Sequence, residues 1–286
     1  MKKGMFLGIP VILWLLFITM PVYTAGIQVK IDGYVMVTDA APENINNRTM
    51  VPLRVISETL GAQVAWSDPQ ITISNENTKC VLTLNSDTVV KNGATEQLDA
   101  EPYLKNNRVL VPLRFIAETF GCAVDYNNFT VSVVTEPLEI NGIKIQALQE
   151  EFRMTTGGIV QQIKANAYNK AYYDLFITNK GTQTTAPAIY SWNYGDVFDT
   201  NGAYYKDGQY DFLCQNGNSI QRFDIYSLVV SDQQVEMPAD YPTALLHDAT
   251  SDQWYLFDNT AFCSGNQRIS TYMEDALITV ISNTVA

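Results

Sequence analysis

Residues 46–66, NNRTMVPLRVISETLGAQVAW, return sixty positions later as NNRVLVPLRFIAETFGCAVDY at 106–126. A repeat kept this closely commits the chain to building the same supersecondary unit twice. Aligned from Pro42/Pro102 to Trp66/Tyr126, 13 of 25 positions are identical. Upstream, Ile31-Asp32-Gly33 aligns with Lys91-Asn92-Gly93 and Asp39-Ala40 with Asp99-Ala100. Within the unit, Leu53, Ile56 and Leu60 fall at the spacing of one helical face, as do Leu113, Ile116 and Phe120. Pro52 and Pro112 stand where such a helix would begin, and Gly61 and Gly121 where a left-handed cap would end it. The bracketed helix has about two turns, too few to persist unless it packs on something.

Alternating, β-branched segments at 28–31, 63–66, 71–74, 81–84, 88–91, 123–126 and 130–134 supply that partner. Asp32-Gly33 and Asn92-Gly93 are hairpin-turn dipeptides. The pattern predicts an α+β fold in which short helices lie on antiparallel sheet. Arg54 and Arg114 enter the first helical turn, where a cation opposes the dipole. Glu58 and Glu118, four residues on, offset this on the same face. These arginines therefore read as structural pins, and Arg48 and Arg108 as solvated side chains after an Asn-Asn turn.

The sequence of strand, Asn/Asp-Gly turn and NNR–VPLR–I–E–G–V–W resembles the copper amine oxidase N-terminal-like domain of Gram-positive envelope proteins. The resemblance covers residues 26–136, with Cys122 in place of the usual alanine and Tyr126 in place of the usual tryptophan. It implies a stalk-like module without catalysis, cofactor or metal of its own. Oxidase chemistry itself is ruled out by ligand count. The parent enzymes hold copper through three histidines, whereas this chain has only His247. Asn193-Tyr194 is followed by Gly195, not by the acidic neighbour that quinone formation needs.

Residues 1–25 read as an export signal: Lys2 and Lys3, an uncharged run from 5 to 20, then Thr24-Ala25-Gly26. Contact with a membrane would come only through this segment, if it is left uncleaved. The chain beyond it carries 16 basic and 30 acidic residues, 16 − 30 = −14. Such a balance repels nucleic acid and keeps an exported protein soluble. Four cysteines, Cys80, Cys122, Cys214 and Cys263, allow three pairings. Cys214–Cys263 with Cys80–Cys122 would keep one bridge in each half.

Residues 137–286 differ in character, with twelve of the sixteen tyrosines between 168 and 272. Strands are expected at 138–145 around Asn141-Gly142, 172–178, 189–192, 210–214, 222–230, 254–257 and 276–281. Turn signals about every ten residues suggest an all-β sandwich-like domain. Trp192, Tyr194, Trp254 and Tyr255 with Asp196 are the candidate ligand-binding residues. Aromatic faces beside carboxylates suit a cell-wall polysaccharide or an envelope protein. Asp196, Asp199 and Asn201 lack the spacing of a calcium loop. His247 reads as a surface residue of a loop, and no serine or cysteine stands in a nucleophile elbow. No catalytic residue is therefore assigned. A hydrolase with a carboxylate site in 137–286 and a passive spacer stand as alternatives to a binding protein.

Overall fold

The computed structural model describes residues 26–75, 77–154, 156–229, 242–271 and 278–285. The export-signal reading of residues 1–25 lies outside the described residues.

The first copy of the repeat runs through β1 (Gln28–Ile31), β2 (Tyr34–Val35), β3 (Glu43–Ile45), β4 (Arg48–Pro52), α1 (Leu53–Thr59), β5 (Gln63–Ser67) and β6 (Gln70–Ser74). A joining strand, β7 (Lys79–Thr83), follows. The second copy is β8 (Thr88–Lys91), β9 (Ala94–Gln97), β10 (Tyr103–Lys105), β11 (Arg108–Pro112), α2 (Leu113–Thr119), β12 (Ala123–Asn127) and β13 (Thr130–Val134). Element for element the copies agree; β7 alone has no counterpart.

Neither copy closes on itself. β13 of the second copy pairs in parallel with β1 of the first, from Gln28↔Thr130 to Ile31↔Val133. β7 in turn pairs with both β6 and β8, joining the copies in one five-stranded sheet. The third sheet, β10-β11-β4-β3, is centred on Val51↔Val111, so equivalent residues face each other across it. One aliphatic core results, with Ile56 and Ile116 from the two helices beside Val29, Ile73 and Val133. Burying each such side chain contributes about 1.5–3 kcal/mol. The four Asn residues of NNR take positive φ, 48–62°, as a tight hairpin turn requires.

Both helices end as expected. Gly61 (φ +79°) donates its N–H to Glu58 and Ala62 to Ser57, and Gly121 (φ +77°) and Cys122 repeat this with Glu118 and Ala117. That is the double bond of a Schellman cap. Pro52 and Pro112 sit one residue earlier than the sequence suggests: each closes a strand at ψ near +115°, and the helix starts at the following leucine.

The remainder comprises β14 (Glu139–Ile140), β15 (Ile143–Met154), β16 (Gly157–Ile163), α3 (Asn166–Asn179), β17 (Lys180–Thr184), β18 (Tyr190–Ser191), β19 (Tyr204–Cys214), β20 (Ser219–Leu228), β21 (Ala244–Asp248), β22 (Gln253–Phe257), α4 (Asn259–Thr271) and β23 (Ile278–Asn283). Its strands join one ten-stranded sheet in the order β17-β22-β21-β20-β19-β15-β16-β23, with β14 and β18 beside β15 and β19. The α+β class holds over the whole chain. The layer against this sheet is helical, however, where the sequence suggested a second sheet. Residues 172–178, expected as a strand, belong to α3, because Tyr168, Tyr172 and Phe176 recur every four residues and all face the sheet. Phe176 is fully enclosed, with ring centroids 4.8 Å from Phe223, 5.0 Å from Tyr210 and 4.9 Å from Phe262 of α4.

Asp32 holds the two parts together. Its carboxylate accepts hydrogen bonds from the Thr135 N–H (2.8 Å) and hydroxyl, and from the Ala167 N–H (2.8 Å) at the start of α3. The residue before that helix is Ala165, which has no capping side chain. A turn residue of the first repeat thus caps a helix of the C-terminal part. Across the same joint, Tyr34 packs into the C-terminal core and Ala167 into the module core.

Candidate functional site

The face of the ten-stranded sheet turned away from α3 and α4 gathers ionic groups from three strands and the turn before β22. β19 and β20 place Lys206 beside Asp224, both almost without exposure, at 2.8 Å. Arg222, two residues along β20, grips the same carboxylate through both oxygens at 3.0 Å. β21 brings His247, whose Nε2 is 3.0 Å from the Asp252 carboxylate. Its Nδ1 lies 3.6 Å from Asp224, beyond hydrogen-bond range. Burial pushes the Asp224 carboxyl up, but His247, Arg222 and Lys206 outweigh it and hold it down at about 2. Burial lowers Lys206, with Asp224 opposing. His247 is pressed down by burial and raised further by Asp224 and Asp252, so it ends above its ordinary value. It is therefore not a loop residue on the surface: it sits mid-strand, stacked on Trp254 at 4.5 Å.

The five candidate ligand-binding residues do not converge. Trp254 is 6% exposed and packs among Tyr204, Tyr226 and Leu245. Tyr255, next on the strand, faces the helices, with the Lys180 ammonium 3.9 Å over its ring. Trp192 is half-buried beneath two cations, Lys206 at 3.9 Å and Arg153 at 4.2 Å from its centroid. Its indole N–H is buried without a partner. Only Tyr194 and Asp196 face solvent, in a single 3-10 turn, Tyr194–Asp196. Asp196 accepts hydrogen bonds from the Ser191 hydroxyl (2.8 Å) and the Asn193 amide (3.1 Å), which hold that turn. Phe198, also exposed, lies 5.4 Å from Tyr194, whereas the exposed Tyr190 packs on Tyr226 and Trp254 instead.

On the helix face, Glu150 is enclosed among Tyr168, Tyr172 and Tyr210, and burial raises its pKa. Gln161 donates to one of its oxygens at 2.6 Å; the other has no partner. Sequence reasoning singled out neither Glu150 nor Lys206, Arg222 and Asp224. On β20, Arg222 and Asp224 alternate with Phe223 and Ile225, a pattern that also suits an ordinary solvated face.

All four cysteines are free. Cys214 ends β19, where its thiol meets Asn216 and the Asn218 carbonyl. The Cys263 thiol on α4 lies 3.5 Å from the Asn259 side-chain oxygen. Each thiol has its own local partners, and neither Cys214–Cys263 nor Cys80–Cys122 is formed. Cys80 and Cys122 are buried as apolar side chains of the module core, and burial lifts the Cys122 thiol to about 11. Among the described residues, no group of three or more His, Cys, Asp or Glu could hold a metal ion.

In the module, Arg54 and Arg114 meet Glu58 and Glu118 at 4.0 and 3.8 Å, as the spacing requires. Arg48 and Arg108 are not simply solvated. Each reaches into the other copy: Arg48 to Asp99 at 2.8 Å, and Arg108 to Asp39. The antiparallel β4–β11 pairing produces this exchange, since it carries each NNR turn over to the other copy's Asp.

Residues 30–135 match the family described as copper amine oxidase N-terminal domain. The match covers 106 of the 286 residues and supports a copper amine oxidase N-terminal-like domain there; the remainder of the chain is matched by no family. No curated protein and no solved structure matches the chain.

Proposed function

We propose that this chain, whose residues 30–135 match the copper amine oxidase N-terminal domain, is an exported, non-catalytic protein of the Gram-positive cell envelope. In this reading the interlocked module is a stalk, and the ten-stranded domain it carries binds cell-wall polymer. The observation that carries the reading is the exposed pair Tyr194 and Phe198, ring centroids 5.4 Å apart, on the segment that follows β18. Ring faces left in water beside polar groups suit a ligand with its own apolar and hydroxyl surfaces. Against hydrolysis, Asp224 is fully engaged by Lys206 and Arg222, and Glu150 is sealed on the opposite face. Residues 1–25 would direct export, and the −14 balance beyond them works against nucleic-acid partners.

Co-sedimentation of the mature chain with purified, insoluble Gram-positive wall material tests this. Wild type is expected in the pellet, with Tyr194→Ala/Phe198→Ala weakening the apparent affinity at least about tenfold. Wild type staying in the supernatant would refute the reading.

A further inference from the structure

The interlocked module carries two clefts, of about 800 and 470 Å³. Every residue lining the first has its equivalent, sixty positions away, lining the second. Their volumes are those of small-molecule sites. Each cleft has the same three parts. An aromatic side chain stands half in water on a strand at its edge: Trp66, 46% exposed, in the first and Tyr126, 49% exposed, in the second. An arginine from one copy and an aspartate from the other form its ion pair, Arg108–Asp39 or Arg48–Asp99. The arginine at the helix start, Arg54 or Arg114, completes it.

Charge decides what such a cleft can hold. Every arginine in the two clefts already has a carboxylate of its own, Glu58 and Glu118 serving Arg54 and Arg114. No cation is left over to neutralise a phosphate or carboxylate, and the surrounding protein is strongly acidic. What remains available is a row of N–H donors beside carboxylate acceptors, next to an exposed ring face. Vicinal hydroxyls, each both donor and acceptor, match the row. The C–H face of a pyranose matches the ring, whose π-surface carries negative potential.

We infer that the two clefts are equivalent binding sites for uncharged sugar rings of a glycan, one per copy. This reading does not rest on the aromatic pair of the C-terminal domain, which lies on other elements. The clefts are not equal in strength. Trp66, Val37 and Leu104 in the first stand where Tyr126, Gln97 and Asn44 stand in the second, so the first has the larger apolar contact.

The test is isothermal titration of the whole mature chain with cellohexaose, chitohexaose and hexagalacturonate. At least one of the two neutral hexasaccharides should bind with a stoichiometry near two, and the anionic one at least tenfold more weakly. Trp66→Ala should remove the tighter site, leaving about one, and Trp66→Ala/Tyr126→Ala should abolish binding. Both side chains are at the surface, so an unchanged thermal melt confirms that the variants fold. Tyr194→Ala/Phe198→Ala should leave these titrations as in wild type, which separates failure here from failure of the C-terminal reading. Absence of saturable binding by either neutral sugar, preference for hexagalacturonate, or a double variant that binds as wild type would each overturn the assignment.

Discussion

The module and the C-terminal domain place their charges in opposite ways. In the module the ion pairs lie at the surface, Arg48–Asp99 and Arg108–Asp39 crossing between copies, and the interior is aliphatic. In the C-terminal domain the core is aromatic, and Lys206, Asp224 and Glu150 are inside. Surface pairs add little to stability and leave their polar atoms free to meet a ligand. Buried ions must be matched locally, or the fold loses several kcal/mol. The module can therefore carry a binding surface on an indifferent scaffold, while in the other half most of the polar groups serve the fold.

The sharpest way to break this contrast is Asp224→Ala. It strands Lys206 and Arg222 together and is expected to destabilise the C-terminal domain by about 3–5 kcal/mol. Urea unfolding followed by tryptophan fluorescence reads this, with the module transition unchanged. Acid comes next. Asp224 is held down at about 2, so its contribution is complete above the ordinary 3.8 and lost as pH falls from there towards 2. That is about 2 kcal/mol. Glu150, raised by burial, works the other way: the domain gains stability as pH falls through its folded value towards 4.5. The raised His247 contributes fully below its ordinary 6.5 and less as pH rises through its folded value. The C-terminal melt should thus rise on mild acidification from neutral pH and drop below about pH 4, with little response from the module.

The module was legible because a duplicated pattern carries its own control. Pro52, Gly61 and the Asn-Asn turns each make one local demand, and the second copy makes it again. What was not legible is the exchange between copies. Arg108 and Asp39 are 69 positions apart, and only the β4–β11 pairing joins them. In the C-terminal half, Tyr-Tyr-Asp-Leu-Phe-Ile-Thr at 172–178 is β-prone in isolation. Packing of Tyr168, Tyr172 and Phe176 on the sheet, with Lys170–Asp174 at 2.8 Å on the outside, makes it helical. α4 was hidden because Asn259–Thr271 is mostly polar, with Phe262 its one large buried apolar side chain among those described. His247 was misplaced because Pro242, five residues upstream, suggested a loop where β21 begins.

Smaller effects sharpen the same comparison. Asp32→Ala removes the cap on α3 and should cost about 1–2 kcal/mol, seen as earlier melting of the C-terminal domain. Arg48→Ala and Arg108→Ala should each cost under about 1 kcal/mol, because their pairs stand in water. A larger loss in either would show that the crossed pairs hold the copies together rather than merely lining clefts.

The scaffold claim is that two repeats fold as one body through the β1–β13 pair and β7. Native-state hydrogen exchange of the module amides tests it most directly. The account predicts that Val29 and Ile31 in β1 open with the same free energy as Val131 and Val133 in β13 and Ile71 and Ile73 in β6. Release of β1 at markedly lower free energy, or separate opening of the two copies, would contradict it.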